Sequence, residues 1–239
     1  MVTPNPAFVN AGSYEPGTTR RLARNLRRVG GMYAQTLAHA HSGAPADSLP
    51  PPLCDPAPLL AEAKAEWGGR DDLWVFGYAS LIWNPEFEFS EARKARVHGW
   101  HRALKMWSRI NRGTPECPGL VFCMLPGGSC HGLAFRIPRA EGEAALTRLW
   151  AREMPSGVYT PRWLPCNTEN GTVQALAFTL SRKSPQFTGD LSVEQYRQIF
   201  ARSCGRYGST LDYAVATLES LHARGIRDQA LRRLIALAR

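Results

Sequence analysis

A carboxylate at the end of a helical pattern is the residue best suited to proton transfer in this sequence. Glu153 closes the stretch from Arg139 to Glu153, just before a Pro and a Gly force a turn. The negative end of the helix dipole and partial burial beside aromatic residues both raise the pKa of a carboxyl group. A raised pKa permits proton exchange near neutral pH. A solvated Glu153 paired with Arg152 or Arg148 is the alternative that the residues alone leave open.

An apolar strand pattern that ends in small residues provides a second candidate site. It runs from Trp74 to Trp83 as Trp-Val-Phe-Gly-Tyr-Ala-Ser-Leu-Ile-Trp. Small residues after a strand let a ligand approach backbone N–H groups, and several such groups together bind a carboxylate or a phosphate. The segment lacks the Gly spacing and the Lys-Ser/Thr pair of a phosphate loop. A buried strand followed by an ordinary turn is the alternative interpretation.

Two other chemistries have weaker support. Cys117, Cys123, Cys130 and His131 contain no C-x-x-C pair, and two of the cysteines lie in or beside strand patterns, which favours buried thiols over a zinc site. A serine hydrolase is also disfavoured, because Ser80 is not part of a G-x-S-x-G motif.

The charge balance suggests a different class of function. Lys and Arg total 29 against 20 Asp and Glu, which gives a net charge of +9. The basic residues are scattered, and the largest cluster, from Arg20 to Arg28, lies outside the expected domain. A non-catalytic module that contacts RNA, DNA or acidic lipid through this cluster is therefore the second hypothesis. Such binding weakens steeply as ionic strength rises.

The sequence favours a soluble, cytoplasmic protein with no membrane partner. Its longest nearly apolar run, 174–180, is far shorter than the roughly 20 residues that a membrane-spanning helix needs. No apolar core follows the arginines near the N-terminus, so a secretory signal is disfavoured, and a transit peptide is the lesser alternative. Six cysteines in 239 residues are too few for a disulfide scaffold.

Composition divides the chain into two parts. Residues 1–56 form a basic extension rich in Pro and Gly, within which 20–40 is compatible with a basic amphipathic helix. Residues 57–239 form the expected domain. It starts with a helix over 57–67 that Gly68 and Gly69 end, and its compact part begins near Asp71.

Strand patterns come first in the domain and helix patterns last. The expected strands are 73–77, 96–108, 119–125, 131–137, 159–164 and 172–180, with turns at 111–113, at Pro126-Gly127-Gly128 and at Asn170-Gly171. One helix, 139–153, interrupts them. Ser192, Ser209 or Thr210, and Asp228 then start three further helices. This order predicts an α+β fold with a mixed, largely antiparallel sheet rolled into a partly closed barrel with flanking helices.

The segment Phe76-Gly77-Tyr78-Ala79-Ser80-Leu81-Ile82-Trp83 resembles the FGYGSLIW signature of the ChaC-type γ-glutamylcyclotransferases, which act on glutathione. Ala79 stands where the family has its second Gly, so its φ must be negative and its methyl group must point away from the substrate.

Four further blocks, in the same order along the chain, resemble the family between residues 57 and 222. They are 97–102, which precedes Ser108; Arg112-Gly113-Thr114-Pro115-Glu116 with Pro118-Gly119-Leu120; 132–137; and Arg152-Glu153 with Gly157-Val158-Tyr159. Gly205, Gly208 and Tyr213 then resemble a Gly-x-x-Gly-x-Asn-x-x-Tyr pattern, with Thr210 in the place of Asn.

This resemblance implies an enzyme that converts glutathione to 5-oxoproline and Cys-Gly without a metal or an organic cofactor. Glu153 would be the general acid and base. The loop Gly77, Tyr78, Ala79, Ser80 and Leu81 would bind the substrate together with Tyr213, and Arg109 or Arg112 would hold the glycine carboxylate. Action on other γ-glutamyl peptides or amines remains an alternative, because Ala79 and Thr210 depart from the family pattern.

Overall fold

Five strands wind into a closed barrel in the computed structural model, which describes residues 54–238. The strands are β1 (Leu73–Gly77), β2 (Glu91–Ser108), β3 (Gly119–Ile137), β4 (Thr160–Thr168) and β5 (Gly171–Thr179). Their order around the barrel is β1-β3-β2-β4-β5. All neighbours are antiparallel except β1 and β5, which run parallel and meet at Val75 and Leu176. The α+β class and the mixed sheet are confirmed, and the barrel is closed rather than partly closed.

Helices and short segments surround the barrel. They are α1 (Ala57–Trp67), α2 (Arg139–Glu153), α3 (Val193–Arg202), α4 (Thr210–His222), α5 (Gln229–Ile235), the two-residue strands β6 (Cys204–Gly205) and β7 (Gly208–Ser209), and 3-10 turns at Ser80–Ile82 and Ala236–Ala238. None of the helices in residues 54–238 is long and apolar enough to cross a membrane.

Local signals set the ends of these helices as predicted. Gly68 ends α1 in the left-handed conformation, with a φ of 68°. The Ser192 hydroxyl accepts a hydrogen bond from the Gln195 N–H, and the Gln195 side chain accepts one from the Ser192 N–H, which completes a capping box at α3. Ser209 and Asp228 cap α4 and α5.

The prediction of a turn at Pro126-Gly127-Gly128 is wrong. Residues 119–137 form one strand, which pairs with β2 along almost its whole length. The register shifts between His98 and Trp100, opposite the predicted turn, and Gly99, Gly127 and Gly128 all have positive φ values. Because long strands must bend to close a barrel, these residues act as a bulge instead of a reversal.

The helix that carries Glu153 packs tightly on the barrel. Leu146 and Leu149 of α2 are fully buried, and the ring of Trp150 meets that of Phe178 of β5 edge to face at 5.5 Å. The Trp150 indole N–H also donates to the carbonyl of Pro56, 3.0 Å away. The end of α2 is therefore held at a fixed position against β5.

The predicted boundary at residue 56 remains a prediction, since the described residues begin beside it. Cys54 already contacts the domain, because its thiol lies 3.1 Å from the Gly157 carbonyl. The Arg20 to Arg28 cluster and the helix expected over 20–40 lie outside the described residues, so the nucleic-acid hypothesis is not tested either.

Candidate active site

The loop that follows β1 is positioned by close backbone packing. A Cβ atom on Gly77 would lie 2.8 Å from the Phe135 ring and 3.0 Å from the Leu81 Cβ. A Cβ atom on Gly132 of the neighbouring strand β3 would lie 2.3 Å from the Gly77 carbonyl oxygen. Only glycine at both positions lets β1 end where the loop begins.

Gly132→Ala is therefore expected to displace this loop. Its methyl group would clash with backbone rather than with a side chain that can rotate, so we expect a loss of about 1 to 3 kcal/mol of folding stability. Urea unfolding measures this loss, and a higher KM for the substrate would report the displaced loop. Parental stability together with parental KM would contradict the close approach.

The loop leaves two backbone N–H groups available to a ligand. Ser80 and Leu81 start the 3-10 turn, and no residue within 54–238 accepts a hydrogen bond from their N–H groups. Ala79 has a φ of −143°, as the negative φ expected at this position requires. The Tyr78 carbonyl accepts a hydrogen bond from the Arg102 guanidinium at 2.6 Å.

Glu153 is the last residue of α2, and its side chain is only 16% exposed. Burial raises the pKa of this carboxyl group above its ordinary value, the Arg152 guanidinium opposes that rise, and the Glu86 carboxylate adds to it. The Nε of Arg152 donates to Glu153 Oε1 at 2.8 Å. The pairing with Arg152 considered above is thus present, but it is largely buried rather than solvated.

Three buried tyrosine hydroxyls lie close enough to the Glu153 carboxylate to interact with its charge. Burial raises the pKa of Tyr78 and Tyr159 well above the ordinary value and that of Tyr213 to about 12, and the charge of Glu153 adds to each rise. Tyr78 donates its proton to the Phe178 carbonyl at 2.9 Å, so this hydroxyl can accept a hydrogen bond from a ligand but has no second proton to donate. All three phenols stay protonated near neutral pH.

Tyr159 was missed as a site residue by sequence reasoning. Its hydroxyl lies 3.3 Å from the Phe122 carbonyl, and Phe122 in turn packs on the ring of Tyr213 at 5.2 Å. The signal was present, because Tyr159 belongs to the block Gly157-Val158-Tyr159 that resembles the family. The sequence alone did not show that its hydroxyl is buried and interacts with the charge of Glu153.

The two candidate arginines lie in different surroundings. Arg112 is 9% exposed, and its guanidinium lies 4.7 Å from the centre of the Tyr213 ring and donates to the Tyr207 carbonyl. Arg109 is exposed and donates to the Gln186 side chain at 3.0 Å. Among the described residues, no contact joins Arg109 to Glu153 or to the 77–81 loop. The fold therefore brings Arg112, but not Arg109, to the tyrosine cluster.

Thr210, the second departure from the family pattern, is buried and accepts hydrogen bonds through its hydroxyl oxygen. Its hydroxyl oxygen accepts hydrogen bonds from the Leu120 N–H at 2.9 Å and from the Ser203 hydroxyl at 2.7 Å. Thr210 is fully buried at the first turn of α4, three residues before Tyr213. This threonine fixes the start of the helix that carries Tyr213.

The side chains of this site are suited to acid–base chemistry. Within residues 54–238, no group of three or more His, Cys, Asp and Glu side chains is arranged to hold a metal ion. All six cysteines are free thiols, and Cys123 and Cys130 are buried in β3. A buried carboxylate with a raised pKa can move a proton, and open backbone N–H groups can hold an anionic ligand.

Comparison with protein families identifies the family of this chain. A family model described as ChaC-like protein matches residues 73–239. The chain belongs to the ChaC-like family. The match begins at β1, which leads into the 77–81 loop, and it includes the whole barrel.

Curated relatives of this ChaC-like chain are named for one activity. The glutathione-specific γ-glutamylcyclotransferase of Escherichia coli (strain K12) is 34% identical over 180 residues, which cover 75% of this chain and 78% of that protein. Glutathione-specific γ-glutamylcyclotransferase 1 of Mus musculus is 30% identical over 189 residues, covering 76% and 84%.

A solved structure supports the fold. The crystal structure of a yeast γ-glutamyl cyclotransferase specific to glutathione matches this ChaC-like chain with a TM-score of 0.65 at 20% identity. The match covers 71% of this chain and 96% of the yeast chain. The closed barrel with its flanking helices is thus a known architecture.

Proposed function

We propose that this chain is a γ-glutamylcyclotransferase that cleaves glutathione to 5-oxoproline and Cys-Gly. The observation that carries the proposal is the buried Glu153 carboxylate, with its raised pKa, which interacts electrostatically with the buried hydroxyls of Tyr78, Tyr159 and Tyr213. The names of the Escherichia coli and mouse relatives supply the substrate.

The reaction is an internal rearrangement of the substrate. The α-amino nitrogen of the γ-glutamyl residue attacks its own γ-carbonyl carbon, a five-membered lactam closes, and the bond to the cysteine nitrogen breaks. Two protons pass from the attacking nitrogen to the leaving nitrogen, and no water is consumed. Because both reacting groups belong to one molecule, no second substrate has to be bound, and the enzyme needs only to hold the conformer in which the amino nitrogen reaches the γ-carbonyl carbon.

Proton transfer is the part of the reaction assigned to Glu153. In its ionised form Glu153 takes a proton from the substrate ammonium, and in its protonated form it delivers one to the leaving nitrogen. Such general acid–base catalysis contributes about 10²- to 10⁴-fold. Burial raises the pKa of this carboxyl group, which favours its uptake of the ammonium proton.

The 77–81 loop is assigned to the substrate α-carboxylate. The open N–H groups of Ser80 and Leu81 point to that role, and the Ser80 hydroxyl, which lies beside the Tyr213 phenol, adds a donor. Holding the α-carboxylate fixes the neighbouring α-amino group, which must reach the γ-carbonyl carbon. Gly77, Tyr78 and Ala79 contribute through the backbone that shapes the turn.

Arg112 is assigned to the glycine carboxylate of glutathione. Arg112→Lys is expected to raise KM for glutathione by about 10- to 100-fold, because a bond to a charged group contributes about 1.5 to 3 kcal/mol and a lysine cannot reproduce the guanidinium geometry. Steady-state kinetics measures the change. Arg109→Gln is the matched control and should keep the parental KM; the reverse pattern would contradict the assignment.

The substrate itself is tested by a panel of γ-glutamyl donors. Purified protein is incubated with glutathione, oxidised glutathione and γ-glutamyl amino acids, and 5-oxoproline is measured by chromatography. Glutathione should be preferred. Faster turnover of γ-glutamyl amino acids would favour the broader alternative, and no 5-oxoproline from any donor would overturn the proposal.

We also propose a cytoplasmic location. Six free thiols, with Cys54 and Cys204 exposed, fit a reducing compartment in which glutathione is abundant as the thiol. Fractionation of the source cells, with activity measured in each fraction, tests this location.

A further inference from the structure

Arg152 connects Glu153 to the loop that follows the 3-10 turn. Its side chain is only 16% exposed, and its guanidinium has three partners. Nε donates to Glu153 Oε1 at 2.8 Å, while Nη1 donates to the Asn84 carbonyl at 2.5 Å and lies 3.1 Å from Glu86 Oε1. One buried cation thus holds the carboxylate at the end of α2 and the backbone of residues 84–86.

The segment held by Arg152 is continuous with the 77–81 loop. The Asn84 N–H donates to the Ser80 carbonyl at 2.8 Å, and the Asn84 side chain donates to Glu86 Oε1 at 2.7 Å. Glu86 has a φ of 58° and is the single non-glycine residue with a positive φ within 54–238. Residues other than glycine adopt this conformation uncommonly. Its two side-chain contacts hold Glu86 in a conformation that the backbone alone does not favour.

We propose that Arg152 is a positioning residue, which aligns the Glu153 carboxylate with the substrate loop through Asn84 and keeps that carboxylate ionised in its buried site. The inference rests on the proposed function, because it assigns Arg152 a role in the same proton transfer. Arg152 itself touches no reacting atom. Its effect reaches the substrate through Glu153 on one side and through Asn84 and Ser80 on the other.

The charges around Glu153 give Arg152 and Glu86 opposite effects on its pKa. The groups that face the carboxylate are the Arg152 cation, the Glu86 carboxylate and the neutral phenols of Tyr78, Tyr159 and Tyr213. Arg152 is the one cation that lowers the pKa of Glu153 among the described residues, whereas Glu86 raises it. Changes at Arg152 and at Glu86 must therefore move the titration of Glu153 in opposite directions.

The pH dependence of kcat/KM tests the role of Arg152. Activity requires ionised Glu153, so the acid limb of the kcat/KM profile follows the pKa of Glu153 in the free enzyme. In Arg152→Gln the limb should move toward alkaline pH by about one to three units, as expected for loss of a close opposite charge. Arg152→Lys should restore part of the shift because it keeps the charge. Arg148→Gln, an exposed position one turn earlier, should leave the profile unchanged.

Glu86→Gln provides a second variant that keeps the cation in place. Its amide oxygen can still accept from Asn84, and the loss of the negative charge should move the acid limb toward acid pH. Opposite shifts in Arg152→Gln and Glu86→Gln would support the proposal. If Arg152→Gln is insoluble, the acid limbs of Glu86→Gln and Arg152→Lys provide the test. The proposal then requires a shift toward acid pH in Glu86→Gln and a smaller alkaline shift in Arg152→Lys.

Two results separate this inference from the proposed function. A parent enzyme that releases no 5-oxoproline overturns the function. An active parent in which the Arg152 and Glu86 variants lose rate at every pH, with an unmoved acid limb, overturns the inference alone, because that pattern describes a purely structural contact.

Discussion

Glu153→Gln is expected to lower kcat for glutathione cleavage by about 10²- to 10⁴-fold. The amide keeps the size of the side chain and an oxygen that can accept from Arg152, but it cannot take up the ammonium proton. KM should change little, because Glu153 is assigned to proton transfer and not to binding. Release of 5-oxoproline under saturating glutathione measures the effect.

The matched control for this variant is Glu143→Gln. Glu143 lies on the same helix, but its side chain is 78% exposed and its ion pair with Lys64 spans 4.0 Å. We expect parental kcat. A Glu153→Gln enzyme with full activity would show that another group moves the proton.

A measurement of folding stability distinguishes a loss of catalysis from a loss of the fold in Glu153→Gln. Burial raises the pKa of Glu153 in the folded chain above its value in the unfolded chain. A group of this kind favours folding only while it is protonated, so its ionisation costs stability as pH rises through that window. At neutral pH the Gln variant should unfold at the same temperature as the parent or higher, and the difference should shrink in acid. A much lower unfolding temperature at neutral pH would contradict this sign.

Arg102→Met is expected to cause the largest loss of folding stability, about 3 to 5 kcal/mol, since it leaves a buried charge without its partner. The Arg102 side chain is 5% exposed, and Nε and Nη2 both donate to Asp228 Oδ2. Its Nη1 donates to the carbonyls of Tyr78 and His131 at 2.6 and 3.0 Å. The substitution therefore frees the 77–81 loop as well as α5. Urea unfolding measures the loss.

An exposed ion pair is the control for Arg102→Met. Lys105 pairs with Asp190, whose side chain is 98% exposed, so Lys105→Met should change stability far less. Asp228→Asn should be intermediate, since an asparagine can still cap α5. Equal losses for Arg102→Met and Lys105→Met would show that the buried pair does not hold the loop.

Much of the fold follows from signals that are local in sequence. Gly68, Ser192, Ser209 and Asp228 each satisfy backbone groups at a helix end within a few residues, so the helix limits could be predicted. The run Pro126-Gly127-Gly128 could not be interpreted in this way. Its residues have the composition of a turn, but the closure of the barrel makes them a bulge opposite Gly99.

The same distinction between local signals and contacts distant in sequence applies to the candidate site. Glu153 and the loop 77–81 could be proposed from the sequence because each lies in a contiguous segment that resembles the family. The approach of Tyr159 to Glu153, and the difference between Arg112 and Arg109, depend on contacts between distant strands and helices. Arg112 meets the ring of Tyr213, 101 positions later in the chain. No spacing within one segment encodes such a contact.

The most direct measurement of the proposed function is the fate of solvent oxygen. Purified protein is given glutathione in water enriched in ¹⁸O, and the glutamyl product is analysed by mass spectrometry. Internal attack by the α-amino group predicts 5-oxoproline with no ¹⁸O and an equal amount of Cys-Gly, both abolished by Glu153→Gln. Glutamate carrying one ¹⁸O atom would instead show that water attacks the γ-carbonyl carbon, and it would contradict the cyclotransferase mechanism.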